Sequence, residues 1–266
     1  MRNYLIIVEG AHDIAVVERL LSLNGINGRI SRKEDLPPVW EHTIPVTFPF
    51  EEGRLDRITP IPSFRKNEEV SVAIKNAGSD TKLISILQQM LDTMLIREKV
   101  QIDGVMLLCD ADTQKAEEKI AGLLQDCVEK EDFKIYQENG QTILDIQVKK
   151  LPVSLYVFPD NEGEGNLENI LLEAAGAAYP ELLEAAREYL EKARKYQQEK
   201  GQQQILQKEQ YAKKAIVGCI ANTIKPGKAN QVAIADGQWI TQDTLQQSPL
   251  LQKLNQALLA MLTPSA

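Results

Sequence analysis

The pair Asp110-Ala111-Asp112 stands directly after the apolar run Val105-Met106-Leu107-Leu108-Cys109. Two carboxylates separated by one small residue can turn toward the same pocket, where their repulsion is costly unless a cation sits with them. Oxygen donors without His or Cys favour Mg²⁺ or Mn²⁺. The competing reading is a turn in which Asp112 caps a helix beginning near Thr113. A second acidic element, Glu9-Gly10-Ala11-His12-Asp13, follows the apolar run Tyr4–Val8. A carboxylate at the buried end of a strand needs a partner, and Gly10 permits a tight turn after it. Asp13 falls in the first turn of a helix, where it would complement the helix dipole, and His12 reads as an exposed cap position. In the third element, Gly165-Asn166-Leu167-Glu168, Asn166 is a helix cap. Glu168 there either complements the dipole or supplies a further metal ligand.

The elements that carry these groups follow from apolar periodicity. A strand over 3–8 feeds an amphipathic helix in which Ile14, Val17, Leu20 and Leu21 recur at helical spacing. Val70, Val72 and Ile74 alternate as a strand, and after a turn at Asn76–Ser79, with Ser79 or Asp80 as cap, a helix runs to about Glu98. The strand at 105–109 precedes a helix over roughly 114–127, and a strand at Val153–Phe158 precedes a helix over 166–175. Four strand–helix alternations predict an α/β fold, an open parallel sheet flanked by helices, whose functional groups collect at the carboxyl ends of the strands. Residues 25–69 hold Pro37, Pro38, Pro45, Pro49, Pro60 and Pro62 and read as an insertion, with short edge strands near 44–48 and 58–61. Residues 132–137 and 142–148 flank a hairpin signal at Glu138–Gln141. Beyond Pro180 the chain reads as helix to about Ala221, with the Gln-rich stretch 197–207 as a solvated helix face, and a last helix spans about 248–262. The expected organisation is a core over 1–175, carrying the 25–69 insertion, and a mainly helical C-terminal region over 176–266 packed on it.

Composition narrows the function classes. The 266 residues carry 30 Lys+Arg and 38 Asp+Glu, a net charge of −8, which argues against a general nucleic-acid coat protein but not against an enzyme meeting nucleic acid at one site. There is no apolar run of ~18 residues, so no membrane partner is expected. Cys109, Cys127 and Cys219 have no paired spacing, which fits a reduced, cytoplasmic protein without a thiolate zinc site. Low aromatic content, 5%, offers few base-stacking platforms. No Gly-x-x-x-x-Gly-Lys-Ser/Thr motif is present, so no ATPase is expected.

The stretches LIIVEGAHDIAVVERLL (5–21) and GVMLLCDADTQ (104–114) resemble the Toprim domain shared by topoisomerases, bacterial primases, recombination-repair proteins and OLD-type nucleases. VAIKNAGSDTKLISIL (72–87) resembles the second strand–turn–helix of that fold, and GNLENILL (165–172) the later Gly-x-Leu-Glu element of OLD-type domains. The likeness covers about residues 1–175 without the insertion. It is closest to a small Toprim-like family related to the OLD nucleases, in which the core stands without the ATPase domain. The resemblance implies that Glu9 is a metal ligand or general acid/base and that Asp110 and Asp112 form the Asp-x-Asp metal pair. It further implies that Asp13 and Glu168 help to hold metal; Asn166 stands where OLD-type domains often carry serine. A downstream lysine near the transition state is also implied. Lys213, Lys214, Lys225 and Lys228 are the candidates, and Lys214 is the favoured one because it could lie on a helix returning toward the sheet. Ten Lys+Arg against six Asp+Glu between 181 and 230 could present a basic face to phosphates or be a soluble helical surface.

The expected activity is cleavage of phosphodiesters in DNA or RNA, dependent on one or two Mg²⁺ (or Mn²⁺) ions that activate water and stabilise the leaving oxygen. The alternative is a non-catalytic Toprim module that binds metal, nucleic acid or a protein partner in a repair or defence complex. A phosphatase using the first aspartate of LLCDADT fits less well, because Thr113 is three rather than four residues after Asp110 and Glu9 would have no role. A nucleotide-sugar transferase with an Asp-x-Asp site likewise leaves Glu9 idle. The sequence leaves the oligomeric state open.

Overall fold

The computed structural model describes residues 1–44, 61–95, 101–125, 133–138, 140–146 and 149–263. Its first strand, β1 (Arg2–Val8), is an apolar run buried on both faces, as a central parallel strand must be. It leads into α1 (Ala11–Leu23). Two short strands, β2 (Gly28–Arg29) and β3 (Ser63–Lys66), precede β4 (Val70–Asn76) and α2 (Leu83–Leu95). Then come β5 (Gly104–Asp110), α3 (Ala116–Gln125), the hairpin β6 (Lys134–Glu138) and β7 (Gln141–Ile146), and the long β8 (Lys149–Phe158). Six helices follow: α4 (Leu167–Ala178), α5 (Pro180–Glu199), α6 (Glu209–Ile224), α7 (Asn230–Asp236), α8 (Gln242–Gln247) and α9 (Pro249–Leu262).

The sheet order is β2-β3-β4-β1-β5-β8-β7-β6. The central four strands are mutually parallel, and both margins are antiparallel. The sheet is therefore mixed, which corrects the expectation of an open parallel sheet. Gly140, at φ +78°, turns β6 back into β7, and β7 pairs antiparallel with β8.

Side chains alternate between two faces. Tyr4, Ile6, Val72, Ile74, Met106 and Leu108 meet α1 and the helices after β8, while Leu5, Ile7, Ala73, Val105 and Leu107 meet α2 and α3. The crossover from β1 to β4 thus runs over one face and that from β4 to β5 over the other. Strand order reverses at β1, so the crevice beyond the carboxyl ends of β1 and β5 is the topological switch point, where ligands bind in such sheets.

Helices α4 to α9 share the core of the α1 face and do not form a separate core. Arg19 on α1 donates to the Ile240 carbonyl at 2.9 Å, and Tyr4 Oη and Arg2 Nη1 on β1 both donate to the Leu262 carbonyl. On the opposite face Trp40 is fully buried and clamps the described part of the insertion to the sheet: its Nε1 donates to Ser71 Oγ at 2.9 Å, and Ser71 Oγ donates to Asn3 Oδ1 at 2.6 Å. At the sheet edge Glu18 on α1 receives Ser63 Oγ and pairs with Arg65 at 3.4 Å, both on β3.

Several expectations need correction. The insertion contributes strands at 28–29 and 63–66, because β4 leaves an open edge that β3 and then β2 pair with; the edge strands expected near 44–48 and 58–61 lie almost wholly outside the described residues. The ends of the predicted helices at 96–98 and 126–127, Cys127, and residues 132, 139, 147 and 148 of the hairpin region also lie outside them. Helix does not run unbroken from Pro180 to Ala221: α5 stops at Glu199, Gly201 sits at φ +61°, and the Gln-rich stretch passes through an irregular segment into a short 3-10 helix at Ile205–Gln207. Asp112 is not a helix cap, since α3 begins only at Ala116 and Asp112 itself holds φ +55°.

Candidate functional site

Each acidic element leaves the sheet at the carboxyl end of a parallel strand. Glu9 follows β1, Asp110 ends β5, and Glu168 lies in the first turn of α4, reached through the loop after β8. Glu9, Asp13, Asp110 and Glu168 line one cleft of about 270 Å³, together with His12 and Lys214. The backbone N–H of Asp110 donates to Glu9 Oε2 at 3.3 Å. The N–H of Leu167, at the start of α4, donates to Asp110 Oδ1 at 2.8 Å, so the helix end is tied to the strand end. Asp13 Oδ2 accepts from Gly10 N at 2.5 Å, so beyond the dipole role expected of a first-turn carboxylate it caps the start of α1. Asp13 is a buried residue, 6% exposed, and lines the same cleft.

Asp112 departs from this group. It is exposed and lies on the rim, lining an adjoining cavity. Its backbone exchanges hydrogen bonds with Gly165, N–H to carbonyl at 2.7 Å and back at 3.0 Å, so the Asp-x-Asp turn and the acidic loop are zipped together. Gly165 holds φ +141°, and a Cβ there would meet Asn169 Oδ1 at 2.9 Å and Pro159 Cδ at 3.1 Å, so only glycine fits this contact.

The electrostatics record the crowding. Burial first, and then Glu9 with further carboxylates, push the Asp110 carboxyl up to about 7. Burial raises Glu9 and, with Asp110, holds Asp13 well above the usual carboxylate range. Glu168 is raised by burial, and Lys214 acts on it in the opposite direction. The Oε2 atom of Glu168 is buried without a hydrogen-bond partner. A native structure rarely leaves a buried carboxylate oxygen so, and a bound cation or water is the usual account.

Of the four candidate lysines, only Lys214 lines the acidic cleft. Lys213 turns the other way, to Glu209 at 2.7 Å and Asn169 Oδ1 at 3.1 Å. Lys225 pairs with Asp236 at 3.4 Å on the far end of α6, and Lys228 is exposed beyond it. His12 is not an exposed cap. It is the second residue of α1, half-buried in the cleft wall, and burial and Lys214 both lower its pKa. Sequence reasoning missed a further pair beside Glu9, the ion pair of Lys119 on α3 with Asp80 at 2.5 Å, since nothing local links residues so far apart in the chain.

The donor set fits a hard divalent cation in type, being all carboxylate oxygen. Among the described residues no three His, Cys, Asp or Glu side chains are already grouped so as to hold an ion. A cation that keeps most of its own waters, as Mg²⁺ commonly does, needs only one or two such carboxylates. No helix of the described residues is long and apolar enough to cross a membrane.

Residues 3–262 match the family described as "Protein of unknown function (DUF3226)", and the chain belongs to that family. No curated protein matches it. Its fold is similar to that in the crystal structure of hypothetical protein PH0156 from Pyrococcus horikoshii OT3, with 17% identity and a TM-score of 0.56, over 97% of this chain and 100% of that one.

Proposed function

We propose that this DUF3226 member is a Mg²⁺- or Mn²⁺-dependent nuclease of Toprim type, related to the OLD-type nucleases, cleaving phosphodiesters of nucleic acid. The observation that carries the reading is the gathering of Glu9, Asp13, Asp110 and Glu168 around one cleft at the strand switch, with Lys214 on its rim. The resemblance of residues 5–21 and 104–114 to Toprim domains supports it.

Asp110 and Glu168 would hold the ion, with Glu9 or Asp13 joining through water. When bound, the cation would lower the pKa of an attacking water and stabilise the leaving oxygen. Glu9 Oε2 is already held by the Asp110 N–H, which leaves Oε1 to take a proton from that water. The Lys214 ammonium is placed to neutralise phosphate oxygens that four carboxylates would otherwise repel. Asp112, on the rim, would act on substrate or water, not as a direct partner of Glu168. A second reading, a metal-binding module without turnover, is favoured by one observation: the buried Glu168 Oε2 has no hydrogen-bond partner, which a bound ion would satisfy with or without chemistry.

The deciding experiment is Mg²⁺/Mn²⁺-dependent cleavage of supercoiled DNA, single-stranded DNA and RNA by wild type, Asp110→Ala and Glu9→Gln. Cleavage that needs metal and disappears in both variants supports the nuclease. Metal binding by calorimetry, lost in Asp110→Ala, without cleavage moves the assignment to the binding module. Neither cleavage nor metal binding overturns both.

A further inference from the structure

Beside the acidic cleft lies a second cavity of about 380 Å³, with the Asp112–Gly165 backbone bridge in its wall. Consecutive lysines of α6 face the two spaces, Lys214 the cleft and Lys213 the cavity. Asn166 lines the cavity, is 2% exposed, and its Oδ1 has no hydrogen-bond partner. A buried amide oxygen in that state is a place for a bound water or for a donor on a ligand.

The rest of the lining says what kind of donor. Among the described residues no aromatic and no large aliphatic side chain lines the cavity, so a nucleobase would find nothing there to stack on. Lys208 and Lys213 are opposed there by Asp112, Glu164 and Glu209, so the cavity carries no positive excess for a bare phosphate. A neutral, hydroxyl-bearing group suits such a lining, with Lys208 and the first-turn N–H groups of α6 beside it for a flanking phosphate. The inner residue of a nucleic-acid chain has one such donor, the ribose 2′-hydroxyl.

We infer that this cavity seats the ribose of the nucleotide next to the scissile phosphate, with Asn166 Oδ1 accepting from its 2′-hydroxyl, so that the chain prefers RNA to DNA. This rests on the nuclease reading and adds to it the sugar of the substrate. A 3′-terminal hydroxyl of a DNA strand offers the same donor, and the test separates the two.

The probes are fluorescent oligonucleotides of one sequence and ten residues: all-ribose, all-deoxy, ribose with a single deoxy substitution at each position in turn, and each with the 3′ end either free or phosphorylated. Binding to the full chain is read by anisotropy with Ca²⁺ in place of Mg²⁺ and again in EDTA. The expected result is about fivefold tighter binding of the ribose strand, the gain of roughly one hydrogen bond, with the loss concentrated at one substituted position and indifferent to the 3′ end. Asn166→Ala should abolish the preference by weakening ribose binding alone, whereas Lys208→Ala should weaken both sugars and keep the ratio. Equal affinity for ribose and deoxyribose strands in wild type overturns the inference, and so does a preference that vanishes on 3′ phosphorylation. The single-substitution series in wild type decides the matter even where Asn166→Ala fails to fold. Metal-dependent cleavage lost in Asp110→Ala is a separate observation, so loss of the sugar preference leaves the nuclease reading standing.

Discussion

The Asp110 backbone N–H rests on Glu9 Oε2 at 3.3 Å, joining two parallel strands at their carboxyl ends. The contact fixes Glu9 relative to Asp110 by main chain rather than by a second side chain. The Asp110 carboxylate is held in turn by the Leu167 N–H at 2.8 Å, so the acid cluster keeps its repulsion in the folded state.

That repulsion has a pH signature in metal-free protein. Asp110 keeps its proton up to about pH 7 when folded, whereas an unfolded chain releases it near pH ~4. Below both values the two states bind the same proton and the shift has no effect. As pH rises from about 4 to about 7 the unfolded state ionises first, so stability falls, and above about 7 the penalty stays constant. Asp110→Asn should flatten this slope and gain at pH 8 at most about 4 kcal/mol, the free-energy equivalent of the shift. Urea midpoints in EDTA across pH 4–8 check it; a wild-type stability that rises over this window would refute the assignment of a neutral Asp110.

Metal should relieve the same repulsion. At about 100 times its dissociation constant, Mg²⁺ stabilises a site by ~2.7 kcal/mol, which for a chain of this size is a rise of about 5–10 °C in Tm. The rise should be absent in Asp110→Ala and reduced in Glu168→Gln. Differential scanning calorimetry with and without Mg²⁺ reads it directly, and an unchanged wild-type Tm would count against any ion in the cleft.

Lys214 and Lys225 offer a paired comparison within one helix region. Lys214→Ala should cut cleavage about 100-fold or more while leaving the Mg²⁺-induced Tm rise intact, because its role is toward phosphate. Lys225→Ala, whose partner is Asp236, should change cleavage by less than about twofold. Equal losses in the two variants would remove Lys214 from the site.

Gly165→Ala should destabilise the protein by about 1–3 kcal/mol, since it forces a side chain into a left-handed backbone and against Asn169 and Pro159. The same change at Gly122, where an added Cβ meets nothing within 4 Å, should be neutral or slightly stabilising. Denaturant titration of the two variants side by side gives the contrast.

The placement of Glu9 and Asp110 is legible from sequence because each ends an unbroken apolar run, and a parallel strand has only one place to put the residue after it. Glu168 is legible for a related reason: a glycine-rich turn after a strand leads into a helix start. The choice between Lys213 and Lys214 is not legible from periodicity, since neighbouring helix positions differ by ~100° and the phase of α6 depends on where Gly201 ends α5. The 7- and 6-residue helices α7 and α8 carry too few apolar positions to show a period, and β2 is two residues long. His12 reads as exposed because a polar residue at a helix start usually is, and only the approach of α6 covers it.

The division of labour between the sheet and the helical cover sets an order in time. The cleft's carboxylates are all synthesised by residue 168, while the lysine that would make the cleft tolerable to a phosphate arrives only at residue 214, on a helix whose seat includes the still later α7. A nascent chain emerging from the ribosome would thus carry the acidic half alone. Such a chain would hold four crowded carboxylates without Lys214 to offset them until its own translation is nearly complete.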